Sequence, residues 1–283
     1  MNSEIRPRRS VLYMPGSNPR ALEKARTLPA DGLIFDLEDA VAPGDKESAR
    51  QLILEALRQG GYGGREILVR VNGLDTPWGK DDLAAAAKSG AHGVLLPKVE
   101  SAAEVREAEA LLPGNQAIWC MMETPKGILR AEEIGGSSPR LGGLVMGTSD
   151  LAKDLHAAHT AMRLPMLVSL GQCLLAARAY GIAILDGVHL DLEDEAGFRA
   201  SCHQGRELGF DGKTLIHPKT IDAANEIFGP SPSELDWAKK IIAAYEAANS
   251  GVTLVEGKLV EQLHVDAARR LLVLADRIAA PTV

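Results

Sequence analysis

The side chains able to do chemistry in this 283-residue chain are acids and bases set at the ends of short aliphatic runs. Asp36-Leu37-Glu38-Asp39 closes one run, Arg70 and Asn72 a second, and Lys98 a third, while Glu123, Ser149-Asp150 and Asp186 end others. Four carboxylate-bearing run ends facing one arginine repel each other unless a cation or a shifted pKa compensates. A divalent hard cation is the economical compensator. Mg²⁺ takes one or two protein carboxylates and leaves its other positions to water and an oxygen-rich substrate, which suits Glu123 and Asp150. Arg70 has the fork geometry to hold a substrate carboxylate in two bonds. Each of these residues also has a plain structural reading. Thr124-Pro125 would cap a helix and leave Glu123 as a first-turn carboxylate, Asp150 would cap the helix that follows it, and Arg70 would pair with Glu38 or Asp39.

Other chemistries lack their residues. His156 and His159 stand three apart with no third soft ligand nearby, so a solvated face is expected rather than zinc. His189, His203 and His217 are scattered and read as structural or surface residues. No Ser-His-Asp grouping or nucleophile elbow occurs. Cys120, Cys173 and Cys202 form no Cys-x-x-Cys and read as buried thiols of a reducing cytoplasm. Arg6, Arg8 and Arg9 precede too short an apolar run for a signal peptide, and the uncharged stretch Leu164 to Ala177 is too short for a membrane span. A net charge of −7 and 4% aromatics exclude nucleic acid as a partner.

These polar ends must be positioned by the runs that carry them. Eight runs alternate with amphipathic stretches: Arg9–Met14, Gly32–Leu37, Glu66–Val71, Gly93–Lys98, Ala117–Met122, Gly143–Gly147, Ile182–Asp186 and Gly212–His217. Between them, helices are expected over stretches such as Asp45–Gln59, Ala102–Leu112, Leu170–Tyr180 and Asp194–Leu208. No glycine-rich phosphate turn follows the first run, which argues against an open doubly wound sheet. The α/β pattern predicts a (β/α)₈ TIM barrel over residues 1–230, whose active site lies at the carboxyl ends of the strands. Gly60 to Gly64 reads as an αβ turn. Residues 231–283 form a C-terminal extension, with a helix from Ser233-Glu234 to Asn249, a hairpin bracketed by Gly251 and Gly257, and an amphipathic helix from Val265 to Ile278. An appendage of this length is expected to pack on a partner or lid the barrel mouth.

The motifs Leu12-Tyr-Met-Pro-Gly-Ser17, Phe35-Asp-Leu-Glu-Asp-Ala-Val41 and Val69-Arg-Val-Asn-Gly73 follow one another along the chain. Leu96-Pro-Lys98, Met122-Glu-Thr-Pro125, Met146-Gly-Thr-Ser-Asp-Leu151 and Ile216-His-Pro218 complete the series. In this order they resemble the citrate lyase β-subunit-like branch of the HpcH/HpaI aldolase family over nearly the whole chain. The resemblance implies a (β/α)₈ barrel, Mg²⁺, and a homotrimeric or hexameric assembly. It implies Glu123 and Asp150 as metal ligands, Arg70 as the grip on the keto-acid carboxylate, and Glu38 and Asp39 as acids that bind metal-bound water and shape the site. Lys46 and Arg50 match positions associated with CoA phosphates, though a solvated helix face would serve equally. Lyases of this group place a lid carboxylate from a neighbouring subunit over the site. Here Glu261 follows Gly257-Lys-Leu-Val260, one methylene longer than the usual Asp, with Gln262-Leu263-His264 in place of the usual Pro.

The expected function is a cytoplasmic Mg²⁺-dependent carbon–carbon lyase, cleaving a citryl-, citramalyl- or malyl-CoA-like thioester to acyl-CoA and a keto acid. In this chemistry Glu261 would protonate the leaving enolate. Two alternatives stay open: an aldolase for free hydroxy-keto acids, and a citrate lyase β subunit that works in a complex on an acyl-carrier-protein thioester.

Overall fold

The computed structural model describes residues 5–248 and 251–280. The eight aliphatic runs form parallel strands β1 (Ser10–Pro15), β2 (Gly32–Asp36), β3 (Glu66–Arg70), β4 (Gly93–Leu96), β5 (Ala117–Met122), β6 (Leu141–Met146), β7 (Ala183–Asp186) and β8 (Gly212–Leu215). They close in sequence order, with β8 returning to β1, into the (β/α)₈ barrel. Around it lie α1 (Pro19–Ala25), α2 (Lys46–Gln59), α3 (Gly79–Lys88), α4 (Ala102–Leu111), α5 (Pro125–Leu129) and α6 (Ala131–Gly135). The ring continues with α7 (Thr148–Asp154), α8 (Leu167–Tyr180), α9 (Glu195–Leu208) and α10 (Ile221–Phe228).

Each strand buries both faces, as expected where helices cover a parallel sheet. Val11, Ile34, Leu68, Leu95, Trp119, Met121, Val145 and Leu185 fill the barrel interior. The alternate residues, among them Leu33, Phe35, Val69 and Leu144, pack outward against the helices in a larger cluster. Gly60 ends α2 with a φ of +70°, which confirms the αβ turn.

The chain then forms α11 (Pro232–Ala248), β9 (Val252–Val255), β10 (Lys258–Glu261) and α12 (Gln262–Ala279). Asn249, the expected end of the first of these helices, lies outside the described residues. Gly257 does not close the hairpin but forms its turn with Glu256, both at positive φ, because Val255 pairs directly with Lys258. The last helix starts three residues before Val265 because Glu261 and His264 form a reciprocal capping box. Ala238, Ile241, Val255, Val260, Val265 and Ala268 give the extension a small core of its own. The end of α12 lines a cavity with Arg6, Pro29, Asp31 and Arg65, which precede β1, β2 and β3 and so mark the barrel's amino-terminal floor. Among the described residues, no helix is long and apolar enough to cross a membrane.

Candidate active site

At the carboxyl ends of the strands, a cavity of about 410 Å³ brings Arg70, Glu123 and Asp150 together with Asp36 and Asp39. The rest of its lining is largely apolar, with Tyr13, Met121, Met146, Val188, Leu190 and Ile216. A second cavity of about 670 Å³ adjoins it, lined by the Asn72–Thr76 turn, Lys80, the Leu96–Glu100 turn and Glu38.

Arg70 ends β3 in register with Asp36 of β2. Its Nε and Nη2 donate to the two Asp36 carboxylate oxygens at 2.7 and 2.6 Å, and Nη1 lies 2.9 Å from Glu38 and 3.8 Å from Asp39. The guanidinium also stacks 5.0 Å from the Tyr13 ring. Burial opposes its charge, but the bonds to Asp36 outweigh that and hold Arg70 above its ordinary pKa. The structural reading of Arg70 is therefore realised with a different main partner. The sequence places Asp36 at a run end without a role of its own, and its one signal is an acid closing an otherwise aliphatic strand.

Glu123 directly follows β5 and is 3% exposed. Thr124 does cap α5, so Glu123 precedes the cap and points inward rather than lying in the first turn. Its Oε1 accepts from the Lys98 backbone N–H at 2.8 Å. Burial pushes its carboxyl up to about 7, with Glu38 adding and the Lys98 bond opposing. Room for the other oxygen comes from Gly147, where a Cβ would stand 2.3 Å from Oε2. Asp150 is not the cap of α7, which is Gly147, but lies in its first turn and faces Lys98 Nζ at 3.5 Å.

Two carboxylates, one just past β5 and one in the first turn of the helix that follows β6, with room for an oxygen of the first left by a glycine, fit in their ionised form a hard cation that completes its shell with water and substrate. Among the described residues no larger group of His, Cys, Asp and Glu is arranged around a common point. His156 and His159 are exposed in the loop after α7 rather than on a helix. Gly147→Ala is expected to dislodge the Glu123 carboxylate and weaken metal binding by at least about tenfold. Calorimetric titration with Mg²⁺ checks this, and an unchanged affinity would show that Glu123 does not need that room.

The picture of four acidic strand ends around one arginine is corrected in two respects. Asp186 faces away from the mouth, between the barrel wall and its helices, where it is fully buried. There it accepts from Lys213 of β8 at 2.8 Å and from Arg163 at 2.7 and 2.8 Å. Lys98, which ends a run without a role expected of it, is a second cation at the mouth and bonds Glu38 at 2.5 Å.

Lys46 and Arg50 do not form a solvated helix face. Lys46 is 5% exposed and donates to the carbonyls of Leu37 and Glu38 at 2.8 and 2.7 Å. Arg50 donates to the buried Asp82 at 2.7 Å, and Asp82 also receives the Asn72 backbone N–H at 3.1 Å. Both therefore brace the ends of β2 and β3 from outside, and neither lines a mouth cavity. Glu261 lines neither cavity of its own chain. It is exposed, and its carboxylate accepts from the backbone of the first turn of α12.

A family model described as HpcH/HpaI aldolase/citrate lyase matches residues 9–218. The chain is 52% identical over 283 residues to a (3S)-malyl-CoA thioesterase of Cereibacter sphaeroides, covering 99% of each. It is 38% identical to the citrate lyase subunit beta of Leuconostoc mesenteroides subsp. cremoris, covering 98% of this chain and 95% of that one. Among solved structures, the protein CitE from Mycobacterium tuberculosis, in complex with magnesium, acetoacetate and coenzyme A, is 30% identical. It superposes with a TM-score of 0.80 over 98% of this chain and 99% of that one. A citrate lyase from Burkholderia xenovorans, 21% identical over 96% of this chain and 92% of that one, shares the fold with a TM-score of 0.83. From motifs, barrel and site together, the chain belongs to the HpcH/HpaI aldolase/citrate lyase family.

Proposed function

We propose that this lyase-type enzyme reversibly cleaves a carbon–carbon bond in a 3-hydroxyacyl-CoA thioester bearing a second carboxylate, yielding an acyl-CoA and a keto acid, with Mg²⁺ as cofactor. The observation that carries this reading is the convergence of Arg70, Glu123 and Asp150 on one small cavity with a roomier one beside it. Glu123 and Asp150 would hold Mg²⁺, which when bound lowers the pKa of the substrate hydroxyl and polarises the nascent ketone. Asp36 fixes the plane of the Arg70 guanidinium, so its Nη1 edge, now shared with Glu38, would take the substrate carboxylate and set the reacting geometry. Glu38 and Asp39 would order the water and hydroxyl groups beside it. Lys46 and Arg50 would shape the strand ends, since reaching a CoA phosphate requires leaving their present partners. Glu261 would protonate the acyl enolate at the mouth of a neighbouring copy in a trimer or hexamer, and light scattering on the purified protein tests that assembly. Three buried, unpaired cysteines agree with a cytoplasmic setting.

The 52% identity to a thioesterase favours a second reading, hydrolysis of the same class of hydroxyacyl thioester. The two separate in one assay. The protein is incubated with Mg²⁺, acetyl-CoA or propionyl-CoA and glyoxylate, pyruvate or oxaloacetate, then with the condensed thioesters themselves, and the masses are read. A condensed thioester supports the lyase, and free CoA with the hydroxy acid supports the hydrolase. Condensation of free acids alone would favour the aldolase, and activity confined to carrier-protein thioesters the citrate lyase subunit.

Metal binding should carry the pH signature of Glu123. Its folded pKa of about 7 lies above the ordinary 4.5, so the folded state holds this proton more tightly than the unfolded one. Stability from the protonated carboxyl is full below the ordinary value and is lost as pH rises through about 7. A cation needs the ionised form, so its stabilisation runs the opposite way. The rise in melting temperature on adding Mg²⁺ is expected to be larger at pH 8 than at pH 6; an equal rise at both would remove Glu123 from the metal site.

A further inference from the structure

Four acids of the mouth share one residue. Lys98 follows Pro97 just beyond β4 with a φ of +49°, a left-handed conformation that residues with a Cβ rarely adopt. This backbone turn points its N–H and its side chain at the same place. The N–H donates to Glu123 Oε1 at 2.8 Å. Nζ lies 2.5 Å from Glu38, 3.5 Å from Asp150 and 3.8 Å from Asp39. Arg70, which pairs with two of the same acids, is nearly buried and fixed to Asp36 by two bonds. Lys98 differs, with a side chain 46% exposed at the seam between the two cavities.

We propose that Lys98 is a positioning residue that serves as the resident counter-cation of the mouth and yields Asp150 to Mg²⁺, thereby setting how tightly the metal is held. The proposal rests on Glu123 and Asp150 as the metal ligands. A divalent cation between these two carboxylates meets an ammonium already at Asp150, and like charges at that spacing repel. Entry of the metal must therefore displace Nζ from Asp150, while the shorter bond to Glu38 retains it. Without metal, the same ammonium keeps Glu38, Asp39 and Asp150 from repelling each other.

The test is the Mg²⁺ dissociation constant of the full chain by calorimetry, with melting temperatures read with and without Mg²⁺. Lys98→Met and Lys98→Gln remove the charge but keep the backbone N–H to Glu123, and Lys98→Arg keeps the charge. Both neutral variants should bind Mg²⁺ about tenfold tighter, melt below the wild type without metal and recover with it, while Lys98→Arg behaves as the wild type. Equal or weaker binding by the neutral variants, with the wild type binding normally, overturns the proposal and leaves the metal reading intact. Absence of Mg²⁺ binding in the wild type overturns the metal reading and the proposal with it.

Discussion

Glu123→Gln is expected to lower Mg²⁺-dependent turnover about 10³-fold, the size of a lost contact worth about 4 kcal/mol in the transition state. Glutamine keeps the shape and can still accept from the Lys98 N–H, but it supplies no charge to a cation. Protein stability should not suffer. The wild-type carboxyl is 3% exposed and pushed up to about 7 by burial, so ionising it at pH 8 is costly when no metal balances it. The metal-free variant is therefore expected to melt at or above the wild type at that pH, and to show no rise with Mg²⁺. Steady-state kinetics and thermal melting, read together, check both halves. Retained turnover would remove Glu123 from the chemistry, and a large fall in melting temperature would make it a structural residue instead.

Asp186→Ala should behave in the opposite way. Asp186 is 0% exposed and Lys213 is 1% exposed, so their ion pair lies between the barrel wall and its helices. Arg163, which also grips Asp186, stands at the end of the loop after α7 in a left-handed conformation with φ +50°. Removing the shared acid leaves a buried ammonium and a largely buried guanidinium without their main partner, which costs about 3–5 kcal/mol. In a chain of this size that is a fall of about 6–15 °C in melting temperature, at about 2–3 °C per kcal/mol. Asp186→Leu combined with Lys213→Met should recover part of the loss, because an apolar pair avoids the stranded charge. Metal affinity in the surviving folded protein should change far less than in Glu123→Gln. Melting curves decide the matter, and a loss near zero would mean that water reaches Lys213.

Both acids stand at the close of an aliphatic run, and the chain offers no sign of their different fates. In a parallel barrel both faces of every strand are apolar, inside against the other strands and outside against the helices. Alternation therefore does not mark which face is inward, and Asp186 could be counted with the mouth acids although it points away. The partner of Arg70 was hidden for a related reason. Glu38 and Asp39 are the nearer acids in the sequence, yet Asp36 takes the two strongest bonds because the β2 to β3 register sets it directly opposite.

What the amino-acid order determined by itself was everything that depends on near neighbours. Eight aliphatic runs and the helices between them follow from local periodicity, and so does the position of Arg70, Glu123 and Asp150 at or just beyond the ends of those runs. Only the tertiary structure decided which of those ends meet and which cations stand between them. Asp36 reaches Arg70 through strand register, Lys46 and Arg50 turn inward through the packing of α2, and Lys98 reaches four acids through one left-handed backbone turn. Such contacts join residues as many as 60 positions apart, as between Glu38 and Lys98, and depend on closure of the barrel, to which no local pattern is sensitive.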